Sequence, residues 1–220
     1  MSTVKSFVFN PFAENTYLVY DETKQCVIID PGCYDPGERT QLADFIADNG
    51  LSPVKLLNTH CHIDHVFGNK FIAETYGLAL ETHRGEVEVL KAAPALGAYF
   101  GVTAEPSPLP ARFLEEGDTV TFGNTSFEVL LTPGHSPASI CFYHWQEQYT
   151  ISGDVLFQQG IGRTDLPGGD TETLMRSIID KLFALEDGVT VHPGHGPATT
   201  IGAERSGNPF VQAYQSGQRW

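Results

Sequence analysis

The sequence predicts a layered α/β fold in which short strands alternate with helices. Short runs of apolar and β-branched residues recur between turn signals, as expected of buried strands. Apolar residues at helical spacing separate these runs in both halves of the chain. The 220 residues contain no fixed-period repeat, low-complexity tract or long linker. We therefore expect residues 1–220 to form a single domain of packed sheets and helices.

The first half of the chain begins with strands and continues into helices. Strand-like runs occupy residues 4–9, 16–20, 26–29 and 54–57. Between the last two runs, Leu42, Phe45 and Ile46 show the spacing of a helix. Asn49-Gly50 is typical of the end of that helix. A second helix is predicted to end near Gly77.

The second half returns to strands after one long helical segment. Residues 84–100 have helical character, with an interruption expected at Pro94. Strand-like runs follow at residues 119–122, 127–131, 139–143, 149–152 and 189–191. Before the last run, one apolar stripe predicts a helix that faces the core. Its members are Leu174, Met175, Ile178, Ile179, Leu182 and Phe183.

Composition excludes several classes of partner. The chain has 13 Lys and Arg against 27 Asp and Glu, a formal charge of −14. Nucleic acids and anionic membranes both require clustered cations, so neither partner is expected. Residues 1–5 lack the apolar segment of a secretory signal, and no apolar stretch is long enough to span a membrane. The four cysteines contain no CxxC pattern, which predicts reduced thiols and a cytoplasmic location.

Four strand-like runs end directly in residue types that bind metals. Loops at strand ends are where a rigid scaffold concentrates functional side chains. Imidazole and carboxylate ligands suit zinc and related transition metals. Seven candidates stand in these loops: His60, His62, Asp64, His65, His135, Asp154 and His195.

The number of candidates predicts two metal ions and not one. His60 and His62 alternate, so an extended backbone would project both to one side. Seven ligands exceed what one tetrahedral ion takes, but they suit two ions with three ligands each and one bridging carboxylate. Coordination positions would then stay open for water, which is the mark of a catalytic site.

The other histidines and Cys61 are expected to have structural roles. His83, His144 and His192 do not stand in ligand-like contexts. Cys61 lies between two candidate ligands in an alternating pattern, so it should point the opposite way as a buried thiol. Asp30 fits two interpretations: an ordinary turn residue, or a carboxylate that orients a ligand loop.

These motifs resemble the metallo-β-lactamase superfamily, whose pattern is HxHxDH followed by His, Asp and His. The resemblance implies an αββα sandwich of two mixed β-sheets flanked by helices, with the metals at one edge of the sheets. It implies that one ion binds His60, His62 and His135. It also implies that a second ion binds Asp64, His65 and His195, and that Asp154 bridges the two.

Within that superfamily the sequence is most similar to the short bacterial hydroxyacylglutathione hydrolases, or glyoxalase II. True β-lactamases carry Cys or Ser where this chain has Asp154. The stretches at 153–157 and 162–165 are similar to thioesterases and to persulfide dioxygenases. The 25 residues after His195 leave no room for the separate C-terminal helical domain that binds glutathione in full-length members.

The resemblance implies a metallohydrolase of a small anionic thioester such as S-lactoylglutathione. Two divalent ions, Zn²⁺ first and Fe or Mn as alternatives, would share a water and supply hydroxide as the nucleophile. Asp64 is the expected catalytic carboxylate, which orients the nucleophile or accepts its proton. Arg163 is a candidate contact for substrate carboxylates, and a salt bridge within its own turn is the competing interpretation. The oligomeric state stays open.

Three other functions fit parts of the pattern. A persulfide dioxygenase with one iron would use the first histidines and Asp154. A nuclease would share the pattern of His62, Asp64, His65 and Gly68, but the charge of −14 disfavours it. A non-catalytic metal protein would need a closed coordination shell, which the ligand count does not predict.

Overall fold

The computed structural model describes residues 1–218, which form two six-stranded sheets between two layers of helices. The first sheet contains, in order across it, β1 (Thr3–Phe9), β2 (Glu14–Tyr20), β3 (Gln25–Ile29), β4 (Ser52–Leu57), β5 (Leu80–Thr82) and β6 (Arg112–Phe113). The later strands are β7 (Thr119–Phe122), β8 (Thr125–Leu131), β9 (Ile140–His144), β10 (Tyr149–Gly153), β11 (Leu156–Phe157), β12 (Gly160–Ile161), β13 (Thr190–Pro193) and β14 (Thr199–Thr200). β11 and β12 pair with each other, and the remaining six form the second sheet in the order β14-β13-β10-β9-β8-β7.

The helices fall into two sets along the chain. They are α1 (Pro36–Asp48), α2 (Ile63–Val66), α3 (Asn69–Tyr76), α4 (Val87–Phe100), α5 (Thr171–Arg176), α6 (Ile201–Gly207) and α7 (Pro209–Gln215). A 3₁₀ turn at Arg84–Glu86 leads into α4, and a π-helical turn at Ser177–Lys181 extends α5. α1 begins with a capping box in which Asp35 accepts from the Glu38 N–H and the Glu38 side chain accepts in return from the Asp35 N–H.

Three apolar clusters hold the layers together. The central cluster joins residues of both sheets, such as Ile29 with Phe127 and Phe142. The outer face of the first sheet packs against α1 to α4, and that of the second sheet packs against α5 to α7. Both sheets contain parallel and antiparallel pairs. The expected αββα sandwich of mixed sheets is therefore confirmed.

Most predicted elements are present, but the interruption expected at Pro94 is wrong. α4 runs through Pro94 from Val87 to Phe100. A proline inside a helix removes one N–H donor. The helix continues past the proline because one of its faces is buried on both sides of that residue, through Leu90, Ala93 and Gly97.

Two further expectations concern the membrane and the thiols. None of the helices within residues 1–218 has the length and apolar character needed to cross a bilayer. The four cysteines are buried and form no disulfide. Burial raises the pKa of the Cys26 and Cys141 thiols to about 12, so both stay protonated at neutral pH.

Candidate metal centre

The fold brings all seven predicted ligands to one edge of the two sheets. His60 and His62 lie in the loop after β4, and Asp64 and His65 lie in α2 directly behind it. His135, Asp154 and His195 follow β8, β10 and β13 respectively. These three strands point the same way, because β9 is antiparallel to both β8 and β10 and β13 is parallel to β10. Their carboxyl ends therefore meet at one edge.

Three histidines form the first ligand group. Ring nitrogens of His60, His62 and His135 lie within 4.8 Å of one another, and all three side chains are buried. Nδ1 of His62 is 2.8 Å from Nε2 of His135. Three nitrogens at these distances can converge on one ion.

The second group combines a carboxylate with two histidines. Ligand atoms of Asp64, His65 and His195 also lie within 4.8 Å of one another. Oδ2 of Asp64 is 3.1 Å from Nε2 of His195 and 3.6 Å from Nε2 of His65.

Asp154 lies between the two groups. Its Oδ2 atom is 3.5 Å from Nε2 of His135 in the first group and 3.5 Å from Nε2 of His195 in the second. Its Oδ1 atom is 3.5 Å from Nε2 of His65. One carboxylate thus reaches both groups, as the bridging role requires.

Hydrogen bonds on the far side of three imidazoles set their orientation. Nδ1 of His135 donates to the Arg163 carbonyl at 2.8 Å, and Nδ1 of His195 donates to the Ala13 carbonyl at 3.2 Å. Nδ1 of His65 donates to Oδ2 of Asp30 at 3.2 Å. Because Nδ1 is the donor in each case, Nε2 is the ring nitrogen that faces the site and would bind an ion.

Asp30 serves more than one ligand. Its carboxylate accepts from the backbone N–H and the hydroxyl of Thr59, and from the side-chain amide of Asn58 at 3.2 Å. Since the Thr59 hydroxyl gives its proton to Asp30, its oxygen is free to accept from Nδ1 of His60, 3.1 Å away. Asp30 therefore orients His65 directly and His60 through Thr59, so the ligand-orienting interpretation applies.

Four carboxyl groups surround His65, those of Glu14, Asp30, Asp64 and Asp154. Its Nδ1 atom is 3.8 Å from Oε1 of the fully buried Glu14, in addition to the contact with Asp30. Burial lowers the pKa of His65, but Asp64 and Asp154 raise it to a net value well above normal. Burial raises the pKa of Asp154, yet the neighbouring His65 lowers it to a net value below the usual range. Asp154 is therefore ionised at neutral pH.

His60 and His62 are neutral. Burial, with help from the neighbouring His65, lowers the pKa of His60 well below its usual value. Burial, together with His135, lowers the pKa of His62 to about 3. Neutral imidazole and ionised carboxylate are the forms that bind metal ions.

Unpartnered atoms show that the residues fit divalent ions. Among the described residues, three of the buried side-chain atoms without a hydrogen-bond partner belong to candidate ligands: Nε2 of His60, Nε2 of His65 and Oδ1 of Asp154. A buried polar atom without a partner is costly, and these three converge on one place. Two cations would satisfy them and offset the surrounding carboxylates.

Two residues that sequence reasoning missed hold the ligand loops. Glu86 is fully buried and accepts from the N–H groups of Cys61 and Ala138 and from the Ser136 hydroxyl. It therefore connects the loop of His60 and His62 with the loop of His135. Its position at the end of a 3₁₀ turn carries no sequence signal of this role.

Asn15 is the second residue that was missed, and it fixes the last ligand loop. Its side chain donates to the carbonyls of Pro193 at 2.9 Å and Gly196 at 2.8 Å, and its backbone N–H donates to Gly194. Gly194 is required by space, because a Cβ there would lie 2.1 Å from Oδ1 of Asp154.

The remaining sequence candidates lie outside the two groups. Cys61 is buried among apolar side chains, as expected. His83 contacts Glu115, and His144 and His192 lie apart from the ligands near Tyr149. The guanidinium of Arg163 forms two hydrogen bonds of 2.7 Å with Asp165.

A cavity of about 700 Å³ opens above the metal centre. Its lining includes His62, Asp64, His135, Asp154 and His195, and it also includes Arg163. A small molecule in this cavity would therefore reach both ligand groups.

Comparisons with known proteins agree on one family for this chain. The model of the metallo-β-lactamase superfamily matches residues 9–195. The "Probable metallo-hydrolase YqgX" of Bacillus subtilis is 39% identical over 205 residues, which cover 93% of this chain and 95% of that protein. The "Hydroxyacylglutathione hydrolase GloC" of Haemophilus influenzae is 38% identical over 204 residues, which cover 92% of this chain and 94% of that protein.

Two solved structures superpose over nearly the whole length. One is the B3 metallo-β-lactamase BLEG-1, which is 36% identical with a TM-score of 0.88 and covers 95% of this chain and 99% of its own. The other is TTHA1623 in a di-iron-bound form, which is 39% identical with a TM-score of 0.85 and covers 94% of this chain and 100% of its own.

Proposed function

Because the chain belongs to the metallo-β-lactamase superfamily, we propose that it is a metal-dependent hydrolase that cleaves a thioester such as S-lactoylglutathione. The observation that carries the proposal is the pair of ligand groups joined by Asp154 at the base of a cavity. The similarity to a hydroxyacylglutathione hydrolase supports the thioester as the substrate class.

The proposed cofactor is a pair of divalent ions. His60, His62 and His135 would hold one ion, Asp64, His65 and His195 the other, and Asp154 would contact both. Such ions lower the pKa of water to supply hydroxide near neutral pH, and they polarise a carbonyl oxygen. Zn²⁺ suits these ligands, while the di-iron form of the similar TTHA1623 makes iron an equal candidate for testing.

Asp64 is the proposed catalytic carboxylate. It lines the cavity, and burial raises its pKa, but His65 and the hydrogen bond from His195 bring the net value below normal. An ionised carboxylate at this place can orient an attacking water and accept its proton. In the reaction a C–O bond forms, the C–S bond breaks, and the thiol leaves with a proton that came from water.

The proposal is tested with one preparation of the protein. Chelated protein is reloaded separately with Zn²⁺, Fe²⁺ or Mn²⁺, and hydrolysis of S-lactoylglutathione is followed beside a metal count. We expect activity only after reloading, and a lower metal content with loss of activity in Asp154→Ala. The exposed Asp44 of α1 offers a control, since Asp44→Ala should retain both. Full activity of the metal-free protein would refute the proposal.

A persulfide dioxygenase is the second candidate. It is favoured by the stretch Gly162–Asp165, and the first histidine group with Asp154 would suffice for one iron. The complete second group of Asp64, His65 and His195 favours the hydrolase. Oxygen uptake by the iron-loaded protein with glutathione persulfide, without thioester hydrolysis, would support the dioxygenase instead. Hydrolysis of a chromogenic cephalosporin should be measured as well, because the similar BLEG-1 is described as a β-lactamase.

A cytoplasmic location and a small anionic substrate remain part of the proposal. Arg163 stays a candidate substrate contact, but it would have to exchange its two hydrogen bonds with Asp165 for bonds to the substrate.

A further inference from the structure

Helix α4 presents apolar side chains in two directions. On one face, Leu90 and Ala93 are buried in the core. On another face, Val89, Ala92 and Leu96 follow at intervals of three and four residues and line the cavity above the metal centre. The second stripe therefore forms a wall of the candidate active site.

The rest of the cavity beyond the metal centre is also mainly apolar. Phe157, Ile161 and Leu166 line it together with the α4 stripe. Phe12 and Phe100 also line it, with their ring centroids 5.8 Å apart in an edge-to-face arrangement. Ligands of such cavities bury apolar area against the walls, while a few polar groups fix their orientation.

Charged groups in the lining already have partners. Among the described residues, the charged side chains of the lining outside the ligand groups are Glu88 and Arg163. Glu88 accepts from Lys91 at 2.8 Å, and Arg163 is bound to Asp165. No unpaired Lys or Arg of residues 1–218 therefore lines the cavity for the carboxylates of a substrate.

We propose that the α4 wall makes this cavity selective for thioesters with an apolar acyl group. The inference rests on the proposed function and narrows its substrate class. With the thioester carbonyl between Asp64 and Asp154, an alkyl acyl chain would extend over Ala92 and Leu96 and cover the apolar wall. A short hydroxylated acyl group such as lactoyl leaves that wall exposed to water.

A chain-length series with one leaving group tests the selectivity. The substrates are the acetyl, butanoyl, hexanoyl and octanoyl thioesters of glutathione, measured with the metal-loaded enzyme. We expect kcat/KM to rise by about two- to fourfold for each added methylene until the wall is covered. Constant or falling kcat/KM along the series would overturn the inference and leave the proposed hydrolase standing.

Two alanines of α4 provide a matched pair of variants. Ala92 and Ala95 are both exposed, but only Ala92 lines the cavity. Ala92→Gln should reduce the ratio of octanoyl to acetyl kcat/KM by about tenfold, because it places an amide against the chain. Ala95→Gln should leave that ratio unchanged. Equal ratios in the two variants would overturn the role of the α4 wall.

A binding measurement separates this inference from the proposed function. S-methylglutathione and S-octylglutathione cannot be hydrolysed, and their affinities can be compared by calorimetry on the wild type and both variants. Tighter binding of the octyl compound, reduced in Ala92→Gln alone, supports the apolar subsite even if no thioester is cleaved. Equal binding of the two compounds contradicts it, whatever the result of the kinetic series.

Discussion

At the scale of single residues, Asp30 shows how one carboxylate organises a site that it does not itself line. It follows β3 with φ of 50°, in the left-handed region that Asp and Asn tolerate better than other side chains. This turn directs its carboxylate to Thr59 and to Nδ1 of His65. It therefore holds the imidazole with Nε2 turned toward the candidate metal centre.

Asp30→Asn is expected to weaken metal binding while preserving the fold. Asn suits the same backbone conformation, but it removes the charge and places an amide where Nδ1 of His65 needs an acceptor. We expect a loss of about 10- to 100-fold in metal affinity, measured by competition with a chelator. Asp35→Asn is the matched control, because Asn caps α1 as well as Asp does. Affinities of Asp30→Asn and wild type within twofold of each other would contradict this role.

The candidate ligands can be predicted from the sequence more easily than the residues that position them. His60, His62, Asp64 and His65 stand so close together that local spacing alone marks them. Glu86 bears no such mark, because its partners at 136 and 138 are about fifty positions away and only the folded chain brings them near.

At the scale of elements, the short 3₁₀ turn Arg84–Glu86 connects the two ligand loops of the first group. Glu86 accepts from three buried donors there. The carboxylate stays in place because the turn leads directly into α4, which is fixed in the core through Leu90 and Ala93. Packing of a helix thus determines the spacing of loops that hold candidate metal ligands.

Glu86→Ala is expected to lower the free energy of unfolding by at least about 3 kcal/mol, since each buried donor left without an acceptor costs about 1–3 kcal/mol. Glu86→Gln retains one acceptor oxygen and should lose less. The exposed Glu74 gives the control, and Glu74→Ala should stay within about 0.5 kcal/mol of wild type in urea unfolding. A loss below about 1 kcal/mol in Glu86→Ala would show that the three donors find other partners.

The elements that sequence reasoning missed are short. β5, β11, β12 and β14 have two or three residues each, which is too few for a strand periodicity to show. α6 and α7 have seven residues each, and only Ile201 and Val211 among their apolar residues are buried. Their positions depend on packing against the second sheet and not on a strong local pattern.

At the scale of the whole molecule, the layered arrangement of sheets and helices can be predicted from the sequence. The pairing of strands that are distant in the chain cannot. β10 pairs with β13 across an intervening hairpin and α5, a contact that no local pattern encodes. His192 of β13 consequently lies between the rings of Tyr17 and Tyr149, at centroid distances of 5.7 and 5.8 Å. Burial there lowers the pKa of His192 to about 4.

The low pKa of His192 predicts that the folded protein loses stability in mild acid. An unfolded histidine takes up a proton near pH 6.5, whereas folded His192 does so only near pH 4. As the pH falls between these values, the unfolded state binds more protons and stability decreases by up to about 1.4 kcal/mol per pH unit. His192→Phe removes this term, so its stability should fall less between pH 6.5 and 4. Urea unfolding of chelated wild type and variant tests this, and equal slopes would contradict it.

The hydrogen bond between His195 and the carbonyl of Ala13 joins groups 182 positions apart in the chain. Synthesis begins at the N-terminus, so the ribosome makes the three histidines of the first group and Asp154 before it reaches β13. The nascent chain therefore contains these four residues before His195, the last member of the second group, is made. The candidate centre can therefore be completed only when the C-terminal part of the chain has been made and the His195 loop has closed onto Asn15.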